Sequence, residues 1–173
     1  MKLKEIKINN KKIGGSNPCY IIAEIGSNFD ASIIKAKKMI HEAKKSGADA
    51  AKFQSFKTEK IIEKNGFRKN TTFQKKWKKS VWDVYKKAEL PLEWHKELSD
   101  YCKKIKIDFL SAPYYKEAVD VLVKLNSPII KLGSGEITNL EFLRYVGKTK
   151  KPILLATGAS TFEEVRDALK AIK

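Results

Sequence analysis

Cysteine is scarce. The 173 residues contain two, Cys19 and Cys102, with no CxxC and no metal-type spacing. A disulfide framework and a cysteine-ligated metal are thereby excluded; the expectation is a reduced, cytoplasmic setting with both thiols packed in the core. Histidine is equally rare, with only His41 and His95, both expected in helices away from strand ends. Arginine supplies three of the 36 basic residues, Arg68, Arg144 and Arg166. Nucleic-acid surfaces favour arginine for bidentate and stacking contacts. The net charge of +16 therefore reads first as lysines on solvated helix faces, then as anion steering, and last as nucleic-acid binding, for which the Lys75–Lys79 patch is the candidate. No run approaches the roughly 20 apolar residues of a membrane span. The N-terminal MKLKEIKINNKK lacks the apolar core of a signal peptide. No G-x-G-x-x-G follows the first strand and no P-loop is present, which disfavours a dinucleotide fold.

What is present is an ordinary globular content of apolar residues, 42%, arranged in a repeating order. Residues 1–17 read as a β-hairpin, with Ile6, Ile8 and Ile13 around a turn at Asn9-Asn10. Four apolar runs then read as strands: Cys19–Gly26, Asp49–Phe56, Ile107–Pro113 and Pro152–Gly158. A fifth lies at the start of Pro128–Asn139. The continuous run at Cys19–Gly26 suits a strand buried on both faces. Helical patterns follow each strand. The first is capped by Asp30 or Ser32, with Lys44-Lys45 in its last turn and Gly47 just past it. Pro91 opens another. A capping box, Thr138 with Glu141, opens a third. The last starts at Ser160 or Thr161 and is expected to bury Phe162, Val165, Leu169 and Ile172. Residues 57–91 form a long aromatic-rich connection with short helices expected at Phe73–Lys79 and Val81–Ala88, its Trp and Tyr side chains packing it onto the domain.

Strand-helix order repeated five times predicts an α/β fold with a parallel sheet. The polar side chains collect at the C-terminal ends of the strands: Glu24, Lys52, Gln54, Ser111, Lys131, Ser134, Glu136 and Thr157. In both open α/β sheets and (β/α)8 barrels that end carries the active site. Lys52 and Gln54 are two apart and share a face. An inward lysine there is functional, or else β-edge protection on an outer strand. The densest stretch, PIIKLGSGEITN, offers an ammonium, a hydroxyl, glycine-turn N–H groups and a carboxylate within a few residues. That set suits holding a small anion and moving a proton beside it; an ordinary glycine turn is the plain alternative.

Five stretches in register carry a family likeness: IIAEIGSN (21–28), GADAAKFQSFK (47–57), FLSAPYY (109–115), KLGSGEITN (131–139) and KPILLATGAS (151–160). Together they resemble the sialic acid synthase family over nearly the whole chain. The resemblance implies a (β/α)8 barrel of the TIM type. A complete barrel typically needs about 250 residues, so residues 18–173 correspond to about its first five βα units, with the N-terminal hairpin in front. It implies condensation of phosphoenolpyruvate with an open-chain N-acyl hexosamine, with release of phosphate and a divalent metal such as Mn2+ or Mg2+. It also implies a homodimer in which a C-terminal antifreeze-like domain completes the partner's site. Carried over, Lys52, Lys131 and Ser134 hold the phosphate and carboxylate of phosphoenolpyruvate and Gln54 assists. Glu24 and Glu136 are the catalytic candidates, contacting the sugar hydroxyls or the reacting centre, with Glu136 preferred for moving protons. Asn28, Ser111 and Thr157 are further candidate substrate contacts.

The sequence departs from the family pattern in four ways. Phe29 stands where common members have a histidine, Ala112 where many have a threonine, and Ala156 where many have a serine. The metal-binding histidines of the family lie beyond the fifth strand and are not matched by His41 or His95. The 173 residues alone are therefore expected to be inactive. Two other readings stay open: a different phosphoenolpyruvate-condensing or aldolase-type barrel, and a lysine-rich anion- or nucleic-acid-binding module.

Overall fold

The computed structural model describes residues 5–66 and 79–173. The Phe73–Lys79 helix and most of the Lys75–Lys79 patch lie outside the described residues. The chain opens with an antiparallel hairpin, β1 (Ile6–Ile8) and β2 (Lys11–Ile13), paired Ile6 to Ile13 and Ile8 to Lys11. Asn9 takes the left-handed turn conformation, with φ 48°, which asparagine tolerates. Then follow β3 (Ile22–Gly26), α1 (Ile33–Lys45), β4 (Ala50–Ser55), α2 (Thr58–Ile61), α3 (Val81–Ala88) and α4 (Trp94–Lys104). β5 (Asp108–Pro113), α5 (Lys116–Lys124), β6 (Ile130–Leu132), α6 (Leu140–Gly147), β7 (Ile153–Leu155) and α7 (Phe162–Ile172) complete the order.

Strands β3, β4 and β5 form one parallel ladder and β6 with β7 another, with β6 packed next to β5. The alternation of side chains along each strand divides the sheet into two faces. On the helix face, Ala51, Phe53 and Phe109 pack with Ile40, Leu98 and Leu122 from the helices. Ile130 and Leu132 pack similarly with Phe142, Leu143, Val146 and Ala168. Burying each such side chain stabilises the fold by about 1.5–3 kcal/mol. On the opposite face, Ala50, Leu110 and Ile129 are covered by Ile8 and Ile13 of the hairpin and by Tyr20. Asn9 Nδ2 donates to Asp108 Oδ1 at 2.7 Å, Tyr20 donates to Asp108 Oδ2 at 2.5 Å, and Lys11 is ion-paired with Asp49. The hairpin thus closes the N-terminal ends of the strands and leaves their C-terminal ends clear.

Several sequence expectations are corrected. β3 begins at Ile22, and Cys19 is exposed; only Cys102 is buried, where desolvation pushes its thiol up to about 12. β3 is also not buried on both faces: Glu24 within it is exposed. Pro91 lies in the turn ahead of α4, which starts at Trp94. α6 is capped by Asn139, whose side chain accepts from the Phe142 N–H, while Glu141 turns away to Lys116. The capping box is at α7 instead, between Thr161 and Glu164. Phe162 is 95% exposed and Leu169 48% exposed: helical periodicity defines a face, but not whether anything covers it. Ser32 caps α1 and α3 spans Val81–Ala88, both as expected. Tyr85 packs the connection onto Phe56, ring centroids 5.8 Å apart. No helix among the described residues is long and apolar enough to cross a membrane.

Candidate active site

Lys52 is the centre of the site. It lies on β4, the middle strand of its ladder, and is only 7% exposed. That position excludes an edge-protection role. A buried ammonium is costly unless it is paired, and its partner is Glu24, which stands directly opposite on β3 and forms an ion pair with it. The ladder is irregular just after Glu24, where Gly26 takes φ 58°. A side chain at Gly26 would lie 3.6 Å from Glu24 Oε1 and 3.7 Å from Asn28 Nδ2. Those are ordinary contact distances; what favours glycine there is the left-handed φ that turns the chain between these two groups. Asn28 is held there by donating to the Ile25 carbonyl at 3.0 Å.

Lys131 occupies the same face on β6. Burial lowers its pKa first, the neighbouring Lys52 ammonium lowers it further, and the Glu24 carboxylate partly offsets both. Two ammonium groups thus share one region with the Glu24 carboxylate. Lys131 donates to its neighbouring Leu132 carbonyl. Gln54 follows Lys52 on the same face, one pleat nearer the C-terminal end. Beyond β6 the chain makes a single 3-10 turn, Ser134–Glu136. Ser134 Oγ lies 3.7 Å from where a side chain at Gly158 would begin, so the loops after β6 and β7 meet there, beside the exposed Thr157. Glu136 is half-buried, and desolvation raises its pKa while the Asn139 amide, 3.3 Å away, opposes the rise.

Ser111 does not join this group. It stands opposite Phe53 in the ladder and therefore faces the helices. It is fully buried, its hydroxyl 2.6 Å from Ser55 Oγ. Ser55 in turn lies 2.6 Å from His95 Nε2, and His95 Nδ1 is 3.1 Å from the Pro91 carbonyl. His95 therefore reaches the C-terminal end of β4 from behind, contrary to the expectation that it lies away from strand ends. Its pKa is lowered by burial. Phe29 is fully buried as well, stacked near Phe53 and Trp94 with centroids 6.0 and 6.2 Å away. The missing histidine at that position is replaced by core packing. Sequence reasoning missed Tyr114, one residue past β5, whose hydroxyl lies 3.4 Å from the side-chain position of Gly133. The only signal for it was its place just beyond a strand end.

The sheet thus carries two lysines and two carboxylates at its C-terminal edge, side chains able to hold a small anion and move a proton. The family model for the NeuB family matches residues 39–173. The chain is 42% identical over 156 residues to an N,N'-diacetyllegionaminic acid synthase of Campylobacter jejuni, covering 88% of this chain and 46% of that protein. It is 33% identical over 161 residues to mouse N-acetylneuraminate-9-phosphate synthase, covering 93% and 45%. The crystal structure of N-acetylneuraminic acid synthetase from Leptospira borgpetersenii, in complex with citrate, superposes with a TM-score of 0.85 at 27% identity, covering 98% of this chain and 55% of that one. The chain belongs to the NeuB family and spans about half the length of the curated relatives it matches.

Proposed function

We propose that the chain is the first part of a (β/α)8 barrel that condenses phosphoenolpyruvate with an N-acyl hexosamine, giving a nonulosonic acid and phosphate. One observation carries this reading. Lys52 and Lys131 converge on the C-terminal side of the sheet beside the Glu24 carboxylate, the placement that a multiply charged anion requires. At an effective dielectric of about 20, each ammonium within about 4 Å of an anionic oxygen contributes on the order of 4 kcal/mol. The names of the relatives, synthases of legionaminic acid and of N-acetylneuraminate 9-phosphate, support an acyl-amino sugar as the second substrate.

In this reading Lys52, Lys131 and Ser134 hold the phosphate and carboxylate, and Gln54 assists. The π electrons of the enol attack the sugar's aldehyde carbon and form the new C–C bond. Water adds at C2 of the former phosphoenolpyruvate, and the C–O bond to phosphate breaks. Fixing both reactants removes a large part of the entropic barrier. Glu24, Asn28 and Thr157 face the sugar. Glu136 moves protons, and its raised pKa keeps it nearer the pH at which a carboxyl both gives and takes one. The reaction class implies a divalent metal to polarise the aldehyde. Among the described residues no three His, Cys, Asp or Glu side chains come together to hold one, and His95 is committed to Ser55 and Pro91. A homodimer and a cytoplasmic location belong to the same proposal.

The test is phosphate release from phosphoenolpyruvate by a chain extended to the length of its relatives, loaded with Mn2+, against a panel of N-acyl hexosamines. Turnover with one or more of them is expected. No release with any acceptor contradicts the proposal.

A further inference from the structure

Tyr114 is half-buried at the end of β5, and its ring meets Phe56 edge-on, centroids 6.3 Å apart and planes at 88°. Its backbone is anchored by donation from the Tyr114 N–H to the Ser55 carbonyl at 3.0 Å. The ring then extends across the sheet to the next strand. The Tyr114 hydroxyl, Cε1 and Cζ lie 3.4, 3.7 and 3.8 Å from the point where a side chain at Gly133 would begin. Gly133 is two residues past Lys131 and continues its row on the same face. The phenol thus lies in contact with the side-chain position of Gly133, on the face that also carries Lys131. Among the described residues no side chain or carbonyl hydrogen-bonds to this hydroxyl, and it is not among the enclosed polar atoms, as the equally unpartnered Tyr115 hydroxyl is, so it stays open to a ligand. Burial first, then the Glu136, Glu24 and Tyr85 groups, raise its pKa, so it stays protonated and able to donate.

We infer that Tyr114 is a substrate-binding residue, its hydroxyl donating to an oxygen of the anionic substrate held by Lys52 and Lys131. The inference rests on the anion site proposed above. Gly133 leaves the hydroxyl uncovered from that side, where a side chain longer than a methyl group would crowd it. A hydrogen bond to a charged oxygen contributes about 1.5–3 kcal/mol, so the hydroxyl is worth about tenfold or more in affinity.

Phosphoenolpyruvate titrations into the 173-residue chain, followed by the 31P chemical shift, test this with the wild type, Tyr114→Phe and Lys131→Met. Tyr114→Phe keeps the ring and its packing, so its melting temperature is expected to match the wild type while its Kd rises about tenfold. Lys131→Met is expected to abolish saturable binding. A second titration with inorganic phosphate locates the contact. Weakening with both ligands assigns the hydroxyl to the phosphoryl group, and weakening with phosphoenolpyruvate alone assigns it to the carboxylate. Equal affinity of Tyr114→Phe and wild type, with binding lost in Lys131→Met, overturns the role of Tyr114 and leaves the anion site standing. No saturable binding by the wild type overturns both.

Discussion

Lys131 is the residue whose chemistry depends most on its neighbours. Burial and the Lys52 ammonium both lower its pKa from the ordinary 10.5. Its charge is therefore lost at a lower pH than that of a surface lysine. Anion affinity is expected to be full at neutral pH and to fall as pH rises through this depressed value. Titrating phosphoenolpyruvate binding from pH 7 to 10.5 checks this, and an affinity independent of pH over that window contradicts it. Most of the site residues could be read from the sequence because a strand alternates: Lys52 and Gln54 had to share a face. Ser111 could not be placed in the same way. Whether it faces the substrate or the helices depends on its register against β4, where it stands opposite Phe53, and no single strand encodes its register with a neighbour. Tyr114 was hidden for a related reason, since its position depends on a glycine on the next strand.

At the scale of elements, the hydrogen-bonded row His95–Ser55–Ser111 ties α4 to β4 and β5 behind the site. His95 has a folded pKa below its ordinary 6.5, because burial disfavours the charged ring. The unfolded chain therefore binds more protons just below 6.5 than the folded one does, so stability is full above that value and falls as pH drops below it. His95→Gln is expected to flatten this slope in urea melts between pH 5 and 7. An unchanged slope assigns the acid sensitivity elsewhere. α6 and α7 offer a second check. Gly147 faces the Ile172 carbonyl so closely that a methyl group at that position cannot fit without movement. Gly147→Ala is expected to cost about 1–3 kcal/mol from overpacking, despite alanine's better helix propensity, and thermal melting measures it. The strand-helix alternation was legible because apolar runs and caps are local signals. Cap identity was less so: Asn139 and Thr138 are adjacent, and only the backbone decides which side chain reaches the free N–H.

At the scale of the whole molecule, the large exposed apolar side chains among the described residues, Ile6 of the hairpin apart, lie at the two ends of the strand order. Leu154, Phe162 and Leu169 belong to β7 and α7, and Ile21 and Ile34 lie beside β3 and α1. The relatives it matches are about twice as long. The anion grip proposed above draws on Lys52, Lys131 and Ser134 of this chain. On that proposal the 173 residues are expected to bind phosphoenolpyruvate, and turnover is expected to need the rest of a full-length relative. Phosphate release with N-acetylmannosamine and Mn2+ at the uncatalysed rate is the expected result, and multiple turnovers would show that the grip alone suffices. The central claim is the grip itself. Isothermal titration of phosphoenolpyruvate into the wild-type chain and Lys52→Met tests it most directly. Saturable one-to-one binding by the wild type, weakened at least a hundredfold in Lys52→Met, is the expected result; equal binding by the two proteins, or none by the wild type, contradicts it.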